Sequence, residues 1–163
     1  MTMEIEMKIK GLVVDPISKM HIVVLEDLNS ERMLPIWIGV FEANAIALKI
    51  ENIATPRPMT HDLLKSFLDE LNISIEKIVV NDVRDNTFFA QIHCRNKDQT
   101  ITIDSRPSDA IALALRAEAP IFVENEVVKK AHSLKFDDNL EDSEKLKKWL
   151  EGLKPENFGK YKM

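Results

Sequence analysis

Short apolar runs alternate with polar turns in the first part of the chain, and this pattern predicts three strands followed by a helix. Residues 4–14 alternate apolar and charged positions and then become wholly apolar, as in a strand that enters a core. Two more runs rich in β-forming residues cover 20–27 and 32–38. An Ala-rich helical pattern then extends over residues 39–50.

A proline-rich segment separates this helix from the next. The run from Thr55 to Met59 contains two prolines, which push their preceding residues toward extended geometry, so it cannot be helical. The hydroxyl of Thr60 can cap a new helix. The apolar face of that helix recurs at helical spacing and consists of Leu63, Leu64, Phe67, Leu68 and Leu71.

The same order of elements then repeats. Strands are predicted at 73–83, 87–95 and 99–104, a helix at 107–118, a short strand at 120–123 and a helix at 124–132. At a constant offset of 65, the run from Ala45 to Leu48 falls on the run from Ala110 to Leu113. This offset indicates an internal duplication, although four common helix residues can also match by chance.

The predicted fold class is therefore α+β. We expect two duplicated β3-α2 units that form a single curved, mostly antiparallel sheet, a half-barrel, with helices packed on it. The positions expected to be largely buried are Met7, Ile9, Val13, Val23, Leu25, Ile36, Phe67, Val79, Phe88, Ile92, Ile103 and Leu113.

A separate C-terminal element follows the duplicated region. We expect a domain at 1–136 and an amphipathic helix with its tail at 137–163. Leu146, Trp149 and Leu150 belong to an apolar stripe at helical spacing in this segment. The stripe fits either a flap over the domain's own core or a contact with a partner. This helix would expose apolar surface, and the open sheet edges would expose unpaired backbone groups. We therefore expect a homodimer or larger homo-oligomer.

Composition narrows the location and the kind of ligand. The single cysteine, Cys94, cannot form an internal disulfide, and no signal peptide or membrane-spanning run is present, which favours the cytoplasm. The formal net charge is −5 and the pI is near 5.4. An acidic chain has no broad basic face for phosphates, so a polyanion would have to meet a local positive site.

The first candidate site is Thr60-His61-Asp62, in the first turn of a predicted helix. An imidazole and a carboxylate stand there beside unpaired backbone N–H groups. Asp62 alone is equally well explained as a helix-start acid. Arg57, held between two prolines just upstream, suggests an anion contact.

The second candidate site is the run Asp104-Ser105-Arg106-Pro107-Ser108-Asp109, at a strand-to-helix junction. Ser108 and Asp109 are explained by helix capping and by the helix dipole. Capping and the dipole do not explain why Asp104 and Arg106 also lie in the same turn. We therefore interpret this segment as functional.

These motifs occur in the order Leu34-Pro35-Ile36-Trp37-Ile38-Gly39, Glu42-Ala43, Arg57-Pro58-Met59-Thr60-His61-Asp62-Leu63, Thr87-Phe88-Phe89-Ala90 and Asp104-Ser105-Arg106-Pro107-Ser108-Asp109-Ala110-Ile111-Ala112-Leu113. Together they resemble the bifunctional nuclease domain family over about residues 4–133. The resemblance implies an activity on RNA and DNA, as reported for plant members. The family's shared polar positions are all present here, namely Glu42, Arg57, Thr60, His61, Asp62, Asp104, Arg106, Ser108 and Asp109.

In a phosphodiesterase built on these residues, the carboxylates would bind a metal ion and the arginines would bind phosphate. Mg²⁺ or Mn²⁺ would be held by Asp62, Asp104, Asp109 and Glu42. His61 would transfer protons, and Arg57 and Arg106, with Thr60 and Ser108, would bind substrate phosphate. The alternative is a noncatalytic module in which Arg57 and Arg106 bind a small anion while the acids fix the arginines in place.

Overall fold

Residues 3–134 are described by a computed structural model, in which seven strands and four helices follow one another in the predicted order. The elements are β1 (Glu4–Val14), β2 (His21–Asp27), β3 (Met33–Ile38), α1 (Val40–Ile50), α2 (Thr60–Glu70), β4 (Ser74–Arg84), β5 (Thr87–Asn96), β6 (Gln99–Ser105), α3 (Pro107–Ala117), β7 (Ile121–Glu124) and α4 (Asn125–Leu134).

The seven strands form one sheet in the order β3-β2-β1-β7-β4-β5-β6. All neighbours pair antiparallel except β7 and β4, which are parallel. The sheet is curved and does not close, so the predicted α+β class and half-barrel sheet are confirmed. Each half contributes three antiparallel strands, and β7 joins the halves by pairing with β1 on one side and β4 on the other.

Turn residues with left-handed backbone set the register of the hairpins. Asp85 and Asn86 both have positive φ, 49° and 62°, as a two-residue hairpin between β4 and β5 requires. Asp27 closes the β2–β3 turn through its carboxylate, which accepts hydrogen bonds from the Asn29 backbone N–H and from the Ser30 and Arg32 side chains. These bonds, the one from Asn29 foremost, outweigh burial and lower the pKa of Asp27.

The core lies between the sheet and the Ala-rich helices α1 and α3, which contact each other. Small side chains on both helices allow this close approach. The buried alanines are Ala43, Ala45, Ala47, Ala110, Ala112 and Ala114. Because α1 follows one edge strand and α3 follows the other, their contact brings the segments after both edge strands close together.

Most of the predicted core positions are buried or partly buried, but the prediction was wrong for Phe67 and Ile103. Both side chains are exposed. Ile103 lies on the edge strand β6, and α2 carries no buried residue, since its contact with α3 leaves the stripe of Leu63, Phe67 and Leu71 facing outward. Helical periodicity located this apolar face correctly and could not tell whether the chain's own core covers it.

Two sequence predictions concern membranes and the C-terminal segment. Within residues 3–134, no helix has the length and apolar character needed to cross a membrane. The amphipathic helix predicted at 137–163 lies outside the described residues.

Candidate functional site

The two motifs predicted from the sequence meet at one cavity of about 790 Å³. Its walls come from the start of α1, the start of α2, the end of β6 and the start of α3. The polar or charged lining residues are Glu42, Asn44, Thr60, His61, Asp104, Ser105, Arg106 and Asp109. The remaining lining residues are Phe41, Ala45, Met59, Leu64, Ile92, Ile103 and Leu113.

Four of these polar side chains form a continuous chain of hydrogen bonds. Nε2 of His61 lies 2.8 Å from Oδ1 of Asp109, and Nε of Arg106 donates to the other oxygen, Oδ2, at 2.9 Å. Nη2 of Arg106 donates to Oε1 of Glu42, also at 2.9 Å. Residues from α1, α2 and α3 are thereby linked, although 64 positions separate Glu42 from Arg106.

The helix starts explain why these side chains converge. Pro107 occupies the first turn of α3, and Arg106 has the extended backbone of an N-cap residue. Asp109 lies in the same turn, where the helix dipole favours its charge. At the start of α1, Gly39 leaves room for the Glu42 carboxylate, because a Cβ at position 39 would overlap Oε2 of Glu42. A side chain there would displace Glu42 and disturb its bond to Arg106.

Charge pairing leaves Arg106 strongly cationic. The hydrogen bond and charge of Asp109, followed by those of Glu42, raise the pKa of Arg106. Its side chain is nevertheless 67% exposed, so the guanidinium can also reach a ligand in the cavity. His61, with only 12% of its side chain exposed, is fixed more tightly.

Asp62 lies outside the cavity lining, and its contacts are with Arg116 and the backbone of Met59. Oδ1 accepts a hydrogen bond from Nε of Arg116 at 2.6 Å, and Oδ2 accepts one from the Met59 backbone N–H at 3.0 Å. Burial raises the pKa of the Asp62 carboxyl, but these bonds and the Arg116 charge outweigh it, and the pKa is lowered. The helix-start interpretation of Asp62 is the one that its contacts favour.

Arg116 is the polar residue of this region that the sequence interpretation missed. Its side chain is only 6% exposed, and besides Asp62 it donates to the backbone oxygens of Ala112 and Ala45. It therefore ties α3 to α1 and α2. The available signal was a lone arginine at the end of an otherwise Ala/Leu-rich helix, which the helix dipole alone also explains.

The remaining predicted residues divide between the cavity and its surroundings. Thr60 and Asp104 line the cavity and are exposed, and the Asp104 carboxylate makes no hydrogen bond or ion pair within residues 3–134. Ser108 is buried and Arg57 is exposed, and neither lines the cavity. The structure thus brings Glu42, Thr60, His61, Asp104, Arg106 and Asp109 together and leaves Arg57, Asp62 and Ser108 outside.

The predicted four-carboxylate metal site is not assembled in the described part of the chain. No group of three or more His, Cys, Asp or Glu side chains there is arranged to hold a metal ion. The carboxylate of Asp62 is engaged by Arg116, whereas those of Glu42 and Asp109 are engaged by Arg106. Asp104 is the cavity carboxylate that remains open to a cation.

Comparison with known proteins identifies the class. The fold and site define an α+β domain with a cavity where acidic, basic and histidine side chains meet, and the model of the bifunctional nuclease domain matches residues 23–135. The chain belongs to the bifunctional nuclease domain family.

Relatives of two kinds support this assignment. A Mycobacterium tuberculosis protein described as uncharacterized is 35% identical over 162 residues, which cover 94% of this chain and 97% of the relative. A rice protein named bifunctional nuclease 1 is 24% identical over 66% of this chain, but the match covers only 34% of the rice protein. An Arabidopsis thaliana protein of the same name is 27% identical over 56% of this chain and 29% of its own length.

Proposed function

We propose that the chain hydrolyses phosphodiester bonds of RNA or DNA at the cavity that contains His61, Arg106 and Asp109. The observation that carries the proposal is the chain of hydrogen bonds from His61 through Asp109 and Arg106 to Glu42. It holds an imidazole, which is able to transfer protons, and a guanidinium, which is able to bind phosphate, in one cavity. Membership of the bifunctional nuclease domain family supports the same activity.

His61 supplies the proton transfer. Because an ionised carboxylate only accepts hydrogen bonds, the contact with Asp109 fixes the proton of neutral His61 on Nε2 and leaves the Nδ1 lone pair available. Nδ1 takes a proton from the attacking water as its oxygen bonds to phosphorus. The bond from phosphorus to the leaving oxygen breaks, and that oxygen keeps the electron pair and takes a proton from solvent water. The imidazolium that forms is stabilised by Asp109.

Arg106 binds the phosphoryl oxygens. Its guanidinium is held from one side by Asp109 and Glu42, so it is oriented before a ligand arrives. Donors that are already oriented stabilise the charge that develops in the transition state without reorganising. Arg57, which the sequence placed in the same role, does not line the cavity and is not part of this proposal.

The charge of the cavity supports a divalent cation as a further component. Its lining holds three carboxylates, those of Glu42, Asp104 and Asp109, and one guanidinium, which gives a net charge of −2 when His61 is neutral. A phosphate entering such a cavity gains from added positive charge. Mg²⁺ binds through one or two carboxylates together with substrate phosphate and water, so Asp104 would hold Mg²⁺ or Mn²⁺. The cation would supply charge neutralisation at the phosphate.

The salt dependence of binding tests this location. Arg106 and protonated His61 are the only cationic side chains that line the described cavity, so they neutralise about one or two phosphates. For a short single strand of RNA or DNA, we expect a slope of log K against log salt of about −0.7 to −1.4. Fluorescence anisotropy across a salt series measures it. A slope near about −8 would place the contact on a basic surface elsewhere and contradict the proposal.

A noncatalytic anion-binding module is the second candidate function. The pairing of Glu42 and Asp109 with Arg106 favours it, because those acids position the arginine without any metal. In that case the chain would bind inorganic phosphate or a short oligonucleotide and leave it intact. Product analysis with each of the two metals added separates the candidates, because only the nuclease shortens the strand.

We also propose that the chain assembles into a homodimer or larger homo-oligomer. The outward-facing stripe of Leu63, Phe67 and Leu71 on α2 supports this, because contiguous apolar surface is costly to leave in water. Light scattering is expected to give at least twice the chain mass of 18.7 kDa. Phe67→Lys is expected to reduce that mass if this stripe forms the contact. A parent protein that remains a monomer at micromolar concentration would contradict the proposal.

A further inference from the structure

An exposed aromatic side chain lines the cavity that contains His61, Arg106 and Asp109. Phe41, in the first turn of α1, is 84% exposed, the largest exposed fraction among the large apolar residues of the range 3–131. Burial of a phenylalanine stabilises a protein by removing apolar surface from water, and this side chain gains almost none of that stabilisation. Single exposed apolar residues are common, so its exposure alone indicates nothing.

The position of Phe41 in the cavity suggests a function for its exposed ring. It lines the same cavity as Arg106, and its neighbour in sequence, Glu42, accepts the hydrogen bond that orients that arginine. Met59, Leu64 and Ile103 line the cavity as well and are also exposed. The cavity therefore combines an apolar wall containing an aromatic ring with a guanidinium.

A nucleotide has the matching chemistry. Its base is a flat aromatic system that stacks on phenylalanine, and its phosphate is an anion that binds a guanidinium. We propose that Phe41 forms a nucleobase-binding subsite next to Arg106, in which one base of a single strand stacks on the phenyl ring. This inference rests on the proposed function and adds a residue that recognises the base.

The kind of substrate follows from this subsite. In a duplex each base is already stacked between its neighbours, whereas an unpaired base can present a face to the ring. Every base has such a face, so stacking tolerates any sequence. The subsite therefore selects single-stranded RNA or DNA with little preference among bases, and its footprint is short.

Substitution of Phe41 tests the subsite through two separable quantities. Phe41→Ala is expected to weaken binding of a short single strand about 5- to 150-fold, the range that loss of one stacked base gives. The salt slope should stay unchanged, because no charge is removed. Phe41→Trp should retain or strengthen binding. Fluorescence anisotropy of labelled RNA and DNA strands across a salt series measures both quantities.

Two controls separate stacking from a general loss of structure. Leu28→Ala removes an exposed apolar side chain that does not line the cavity, so it should bind the strand like the parent protein. A strand of abasic nucleotides keeps its phosphates but offers nothing to stack, and parent and Phe41→Ala should bind it equally weakly. Thermal melting should be the same for parent and Phe41→Ala, because the ring is exposed.

Failure of this inference is distinguishable from failure of the proposed function. If the parent binds and cleaves single strands while Phe41→Ala matches it in affinity, the stacking subsite is wrong and the nuclease proposal stands. An equal loss on normal and abasic strands would also overturn the subsite. If the parent neither binds nor cleaves any strand, both proposals are wrong.

Discussion

His61→Gln is expected to lower the rate of RNA or DNA cleavage by about 10²–10⁴-fold, the range that loss of a general base gives. The glutamine amide can still donate a hydrogen bond to Asp109, but it has no basic nitrogen to replace Nδ1. Single-strand binding should change little, because Arg106 and Phe41 remain in the cavity. A time course of strand cleavage at saturating substrate measures the effect on kcat.

The matched control for this variant is His93→Gln. His93 lies on β5 and does not line the cavity, so its substitution should leave the rate unchanged. A His61→Gln variant with parental kcat would show that the proton is transferred elsewhere. A loss shared equally by both histidine variants would indicate an effect on folding and would also remove the argument for His61.

Arg116→Met is expected to destabilise the protein by about 2–4 kcal/mol. Breaking a buried ion pair typically costs about 3–5 kcal/mol, and the partial exposure of the Asp62 carboxylate reduces that figure. The backbone oxygens of Ala45 and Ala112 also lose the guanidinium. For a chain of this size the melting temperature should fall by roughly 5–15 °C. Thermal denaturation followed by circular dichroism measures it.

The pH dependence of this difference has a defined direction. Because the pKa of Asp62 is lowered in the folded chain, its charge contributes stability above the ordinary pKa of about 3.9. That contribution is lost as the pH falls through the lowered pKa, so the gap between parent and Arg116→Met should narrow below about pH 4. Arg84→Met removes a largely exposed partner of Asp82 and should lower the melting temperature much less than Arg116→Met does. Equal effects of the two arginine variants would contradict a structural role for Arg116.

Local sequence rules predicted the elements because each element here obeys them. The run at 120–123 was expected to be a short strand and is observed at Ile121–Glu124. The left-handed residues Asp85 and Asn86 occupy the turn predicted between two strands. Whether a face is covered depends on contacts between distant elements, which explains why Phe67 was wrongly placed in the core.

For the site as well, local sequence rules predicted part of the arrangement, and contacts between distant elements determine the rest. Helix-start chemistry identified His61, Arg106 and Asp109, because an imidazole, a guanidinium and a carboxylate crowd two such turns. Arg106 and Asp109 lie three residues apart at the start of α3, so their pairing is local in sequence. The pairing of Asp62 with Arg116 depends instead on the packing of α2 on α3. For that reason the sequence could not show that Asp62 is held by Arg116 outside the cavity.

The central claim is that the cavity formed by His61, Asp109 and Arg106 cleaves nucleic acid. It is tested most directly by cleavage of single-stranded RNA and DNA by the parent protein and Asp109→Asn, purified identically and titrated with Mg²⁺ and with Mn²⁺. Asp109 contacts both His61 and Arg106, so its substitution should remove cleavage that the parent shows. Equal cleavage by both preparations would identify a contaminating nuclease and contradict the claim, as would no cleavage by the parent under any of these conditions.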